Sequence, residues 1–116
     1  RPADAVAAAL AVQRRVAAFN AGHGIEGGAI QIKMGVHCGP CIAVTLNDRI
    51  DYFGGTVNMA ARLQGQSQGG DIVLSEAVLA DPAVAAMVAP LASTREQARL
   101  KGFESDTVFR RIATPD

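Results

Sequence analysis

The chain has 116 residues, 49% of them hydrophobic, which gives room for one domain with an ordinary core and no more. Eleven Lys and Arg balance eleven Asp and Glu, so the formal net charge is zero, which argues against a nucleic-acid binder with its basic excess. No apolar run is long enough to span a membrane, no signal-peptide pattern opens the sequence, and the two neighbouring cysteines cannot build a disulfide framework. A reducing, cytoplasmic setting is expected, with no direct membrane contact from this segment. The sequence opens on Arg1 rather than Met and is expected to be part of a longer polypeptide.

In chain order, residues 2–19 are Ala-rich without Gly or Pro after the first position, and predict a helix with Val6, Leu10, Val16 and Phe19 as a loose apolar stripe. Asn20, Gly22 and Gly24 are expected to stop it. Ile30, Ile32, Met34 and Val36 alternate with other residues, the period of a half-buried strand. Gly39-Pro40 reads as a turn, and residues 42–46 as a second strand completing a hairpin with the first. After Asp51, Thr56 is expected to cap a helix from Val57 to about Gly65. Residues 71–74 form a short apolar strand, Ser75 caps a helix to about Ala80, and Asp81-Pro82 restarts helix toward Val88. Residues 90–99 carry no clear period. Strands are expected near Leu100 and over residues 107–112. Helices and strands intermix, which favours an α+β layer fold over a bundle or sandwich.

The segment Asp51-Tyr-Phe-Gly-Gly-Thr-Val-Asn58-Met-Ala-Ala-Arg62-Leu63 carries the most chemistry. On a helix, Asn58 and Arg62 are four apart and share one face, while Met59 and Leu63 share another that can meet the core. A planar guanidinium suits phosphate oxygens, and a fixed cation stabilises the charge that grows on them during phosphoryl transfer. An isolated Asn-x-x-x-Arg pair is ordinarily a solvated helix face, so the context decides its meaning.

That context resembles the class III adenylate and guanylate cyclase catalytic domain, whose signature runs from an aromatic-Gly segment through Thr-Val-Asn to Ala-Ala/Ser-Arg. Ile32-Lys-Met-Gly-Val-His-Cys-Gly-Pro40, Gly70-Asp-Ile-Val-Leu-Ser-Glu76 and Leu100-Lys-Gly-Phe103 are similar to further family segments, in the same order. The resemblance implies the ferredoxin-like α+β palm of these cyclases, with residues 1–116 its C-terminal portion and the N-terminal strands missing. It implies an adenylate cyclase, making cyclic AMP and pyrophosphate from ATP by attack of the ribose 3′-hydroxyl on the α-phosphate. Asn58 would orient the ribose and Arg62 would stabilise charge on the α-phosphate. Asp51 stands where the family reads the purine, and its carboxylate favours adenine; Lys101 matches the lysine on the terminal phosphates. Two Mg or Mn ions are implied, with ligands preceding this segment and none assigned among Asp4, Asp48 and Asp71. A homodimer is implied too, with each site at the subunit interface, and the isolated segment is expected to be inactive.

Two rival readings stand beside this one. The first is a non-catalytic cyclase-like module that senses nucleotide or dimerises. The second comes from Cys38-Gly-Pro-Cys41, identical to a thioredoxin redox motif; a strand-like run, not a helix, succeeds it, and the chain has no Trp. His23 and His37 lack clustered partners in sequence and are expected to be structural.

Overall fold

The computed structural model describes residues 1–23, 31–38, 42–46, 49–53 and 55–113, with side chains for 1–22, 31–38 and 57–113. The elements are α1 (Pro2–His23), β1 (Gly35–Val36), β2 (Ile42–Leu46), β3 (Arg49–Phe53), α2 (Gly55–Gln66), β4 (Asp71–Ser75), α3 (Glu76–Leu79), α4 (Pro82–Val88), β5 (Ser93–Ala98) and β6 (Thr107–Ala113).

Helix α1 runs one turn further than expected, through Asn20 and Gly22 to His23. Its Ala content favours helix, and a single Gly near the end costs only about 1 kcal/mol. The buried stripe is also different. Val6, Ala9, Leu10 and Gln13 are buried at helical spacing, whereas Phe19 is 41% exposed. Gln13 takes the place expected of an apolar residue because its Nε2 donates to two backbone carbonyls, Ile32 O and Asp71 O, each at 2.8 Å. The amide thereby ties α1 to the segment that enters β1 and to the start of β4.

Four strands form a mixed sheet in the order β1-β4-β6-β5, with β1 parallel to β4 and the remaining pairs antiparallel. The expected hairpin is corrected here. Strand β2 pairs with β3, Ile42 opposite Phe53 and Val44 opposite Asp51, while β1 leaves its sequence neighbour and joins β4. The reason is visible in the side chains of β1. Val36 packs with Ile72 and Leu74 on one sheet face, and Gly35 gives the other face a bare patch for α2. Residues 90–99, without a clear period in sequence, supply β5, which pairs Ser93–Ala98 along β6 as an exposed, charged edge; Leu100 is buried but lies outside any strand.

The sheet separates two apolar clusters. Ile72, Leu74 and Ile112 meet α1, α3 and α4 through Val6, Leu10, Val78, Val84 and Val88. Val73 and Phe109 face the other way and meet Leu63 of α2 and Leu100, with Met59 alongside. The expected capping holds at two places. Ser75 Oγ accepts from Val78 N at 3.3 Å, and Asp81 Oδ1 accepts from Ala83 N at 2.8 Å ahead of Pro82. Thr56, expected as a cap, instead lies inside α2, which starts at Gly55.

Helix α2 lies almost on the backbone of β1. A Cβ built on Gly35 would overlap Gln64 N and come within 2.8 Å of the Leu63 carbonyl carbon, so no side chain fits between strand and helix. Gly65, the residue after Gln64, faces open space. Gly35→Ala is therefore expected to lower stability by roughly 2 kcal/mol or more, since backbone must shift. Gly65→Ala is expected to raise it by roughly 0.5–1 kcal/mol. Urea titrations of the two variants check the opposite signs.

Candidate nucleotide site

The expected site residues fall on three elements. Asn58 and Arg62 lie one helical turn apart on α2 and both are exposed, while Leu63 is fully buried and Met59 half-buried against the same cluster. The helix thus presents an amide and a guanidinium on its outer side because its other stripe is committed to the core. Among the described residues no hydrogen bond or ion pair occupies the Asn58, Arg62 or Lys101 side chain. Asp51 lies in β3, opposite Val44 of β2, and β3 leads into α2 across one residue. Its side chain is outside the described residues. Lys101 is exposed in the turn after buried Leu100, whose side chain packs in the same cluster as Leu63. The structure therefore puts Asn58 and Arg62 together on one face and ties the Lys101 turn and α2 to one apolar cluster.

The cysteine motif is only partly in view. Cys38 is a free, half-buried thiol packed beside the α1-side core, and Cys41 lies outside the described residues. The next described element is strand β2 from Ile42, so among the described residues no helix starts behind Cys38, as the activation of a redox motif's first cysteine needs. His37 has a structural partner, as expected. Its Nδ1 lies 2.8 Å from Ser75 Oγ, the hydroxyl that caps α3. Burial holds the His37 imidazole below its ordinary pKa. His23 closes α1.

Beneath α2 lies an ion cluster that the motifs do not reveal. Arg111 of β6 forks onto Glu96 of β5, Nε to Oε2 at 2.7 Å and Nη2 to Oε1 at 3.2 Å. Its Nη1 donates to Asp71 Oδ2 at 2.7 Å and to the Gln66 carbonyl at 2.9 Å. Ser67 Oγ donates to Asp71 Oδ1 at 2.5 Å, and Gln68 N to Oδ2 at 3.1 Å. Burial pushes the Asp71 carboxyl up, but the hydrogen bonds from Ser67, Arg111 and Gln68 outweigh it and leave the group below its ordinary value. The Arg111 hydrogen bond likewise holds Glu96 down, and the Glu96 contact is the main reason the guanidinium is raised. The register that places Arg111 opposite Val73 and Thr94, on the α2 side of the sheet, is what brings these groups together. Adjacent arginines in the apolar run of β6 are the one sequence signal of it, since successive strand positions point to opposite faces of the sheet and one arginine must lie on the α2 side.

A divalent metal does not fit the described residues. None of their His, Cys, Asp or Glu side chains form a group of three able to hold one, and Asp71 is committed to Arg111 and Ser67. None of the described helices is long and apolar enough to cross a membrane.

The sequence matches the Adenylate and Guanylate cyclase catalytic domain family over residues 3–109, and the chain belongs to that family. It is 42% identical over 52 residues, 43% of the chain, to an adenylate cyclase of Mycosarcoma maydis, of whose length it covers 2%. Solved relatives include an adenylate cyclase of Trypanosoma brucei in its monomeric state, with TM-score 0.51 and 22% identity over 64% of this chain. The guanylate cyclase domain of RhGC from Catenaria anguillulae, in complex with GTP, has TM-score 0.51 and 21% identity over 67%. The adenylyl cyclase CyaB of P. aeruginosa has TM-score 0.50 and 22% identity over 66%. The chain spans 32%, 42% and 38% of those three chains, respectively. These likenesses establish the fold, the α+β architecture of class III cyclase domains; cyclase domains of this class use divalent metal ions.

Acid should therefore act on this fold in two windows. His37 is depressed, so its contribution is present above about pH 6.5, the unfolded value, and is lost as pH falls below it. Asp71 and Glu96 are also depressed, so theirs is present above the ordinary carboxylate range near pH 4 and lost further down. Denaturation midpoints measured from pH 8 to 3 should decline in both steps. His37→Gln should remove the upper step, and Asp71→Asn should flatten the lower one at a cost of about 2 kcal/mol at pH 7.

Proposed function

We propose that the polypeptide carrying this chain is an adenylate cyclase, and that residues 1–116 are the C-terminal portion of its catalytic domain. The supporting observation is the pair of exposed Asn58 and Arg62 side chains one turn apart on α2, without a hydrogen-bond or ion-pair partner among the described residues, directly after the strand that carries Asp51. In this reading the 3′-hydroxyl of ATP attacks the α-phosphate, the bond to pyrophosphate breaks, and cyclic AMP forms. Asn58 holds the ribose so that the hydroxyl meets the phosphorus in line. Arg62 donates two N–H groups to the α-phosphate oxygens, where charge grows in the transition state. Asp51 accepts a hydrogen bond from the adenine amino group, and Lys101 follows the terminal phosphates as a mobile point charge.

The divalent ions supply charge neutralisation at the phosphates when bound. Their ligands are assigned outside the described residues, on a second subunit of a homodimer that completes each site. GTP is the competing substrate, since relatives of both nucleotide preferences share the fold. Discrimination rests on Asp51, because a carboxylate facing the guanine carbonyl would be left without a donor.

Cyclic nucleotide formation by the full-length polypeptide with ATP or GTP and Mn tests the proposal. Wild type should prefer ATP. Arg62→Ala should lower kcat by about 100-fold. Asp51→Ala should shrink the ATP-to-GTP ratio of kcat/KM by about 10-fold or more while sparing GTP. Nucleotide binding without turnover in the wild type would instead identify a non-catalytic module.

A further inference from the structure

We propose that Arg111 is the positioning residue of this site: it clamps the last turn of α2 and thereby sets where Asn58 and Arg62 project. The inference rests on the cyclase reading for its functional half and on geometry for the other. Gln66 ends α2, so its carbonyl is one of those with no partner within the helix. Arg111 Nη1 fills that vacancy at 2.9 Å and brings a positive charge to the negative end of the helix dipole.

The clamp is itself held rigid. Glu96 grips the other edge of the guanidinium from β5, and Asp71 grips Nη1 from β4, so two strand-borne carboxylates fix one plane. The chain leaving α2 returns to the same carboxylate through Ser67 and Gln68. Arg111 is 14% exposed at its side chain and lies on the sheet face beneath α2, whereas Asn58 and Arg62 are exposed on the helix. It acts through the helix, not on the nucleotide.

The lever is long. Asn58 lies eight residues before Gln66, which is about 12 Å along the axis. A tilt of about 10° at the clamped end would move the Asn58 end by about 2 Å, and displacement of about 1 Å can cost about 100-fold in rate. Lysine at this position keeps the charge for Asp71 and Glu96 but lacks the fork that reaches both and the carbonyl together.

The test uses the full-length enzyme with Arg111→Lys, and Arg111→Met as a second variant. Arg111→Lys should lower kcat about 10-fold with KM changed less than about 3-fold. Amide exchange over residues 63–66 should quicken about 10-fold, with residues 72–74 of β4 unchanged. In an Asn58→Ala/Arg62→Ala background the same change should cost less than about 2-fold, because neither positioned group is left to misplace. Losses that multiply in the combined variant, or unchanged exchange at 63–66 in both Arg111 variants, overturn the proposal. A wild type that makes no cyclic nucleotide overturns the cyclase reading instead, and exchange at 63–66 then decides the clamp alone.

Discussion

Helix α2 is seated directly on strand β1 because Gly35 offers no side chain, and this close approach governs what the rest of the domain can do. It lets Leu63 reach Val73 and Phe109, which turns the opposite stripe of the helix outward. A helix held away by even one methyl group would present the same Asn58 and Arg62 from a different place. The packing of an apolar seam and the aim of a polar one are thus coupled, through the seat that Gly35 and Leu63 give the helix and the hold that Arg111 has on its last turn.

The Arg111–Asp71–Glu96 cluster adds direction rather than bulk stability. Buried ion pairs recover little net energy after desolvation, but removing one partner strands the others. The cluster contributes a set of short hydrogen bonds that agree on one geometry: three strands, the end of α2 and the turn through Gly69 and Gly70, both at positive φ, meet there. The glycines allow the tight reversal that brings Asp71 back beneath the helix it succeeds.

Much of this was legible in the residues, and the exceptions have physical causes. Ser75 and Asp81-Pro82 marked helix starts because capping is local chemistry, and the Met59/Leu63 spacing located the buried seam of α2 because periodicity is local too. The partner of β1 was not legible: pairing with β4 rather than β2 depends on what covers each sheet face, which no short window shows. Phe19 read as core although it is exposed, and the apolar stripe passed over Gln13, which is buried with its amide on two distant carbonyls. The family resemblance singled out Asn58, Arg62 and Lys101, all of which are exposed. It gave no hint of Arg111, whose partners are 15 to 45 residues away in sequence.

The central claim is that the outer face of α2 receives the nucleotide. Hydrogen exchange of the full-length protein with and without a non-hydrolysable ATP analogue and Mn tests it most directly. The account predicts slowed exchange concentrated in the turn from Asn58 to Arg62 and in β3 through Asp51. Protection confined to other surfaces, with α2 and β3 unchanged at saturating analogue, would contradict it.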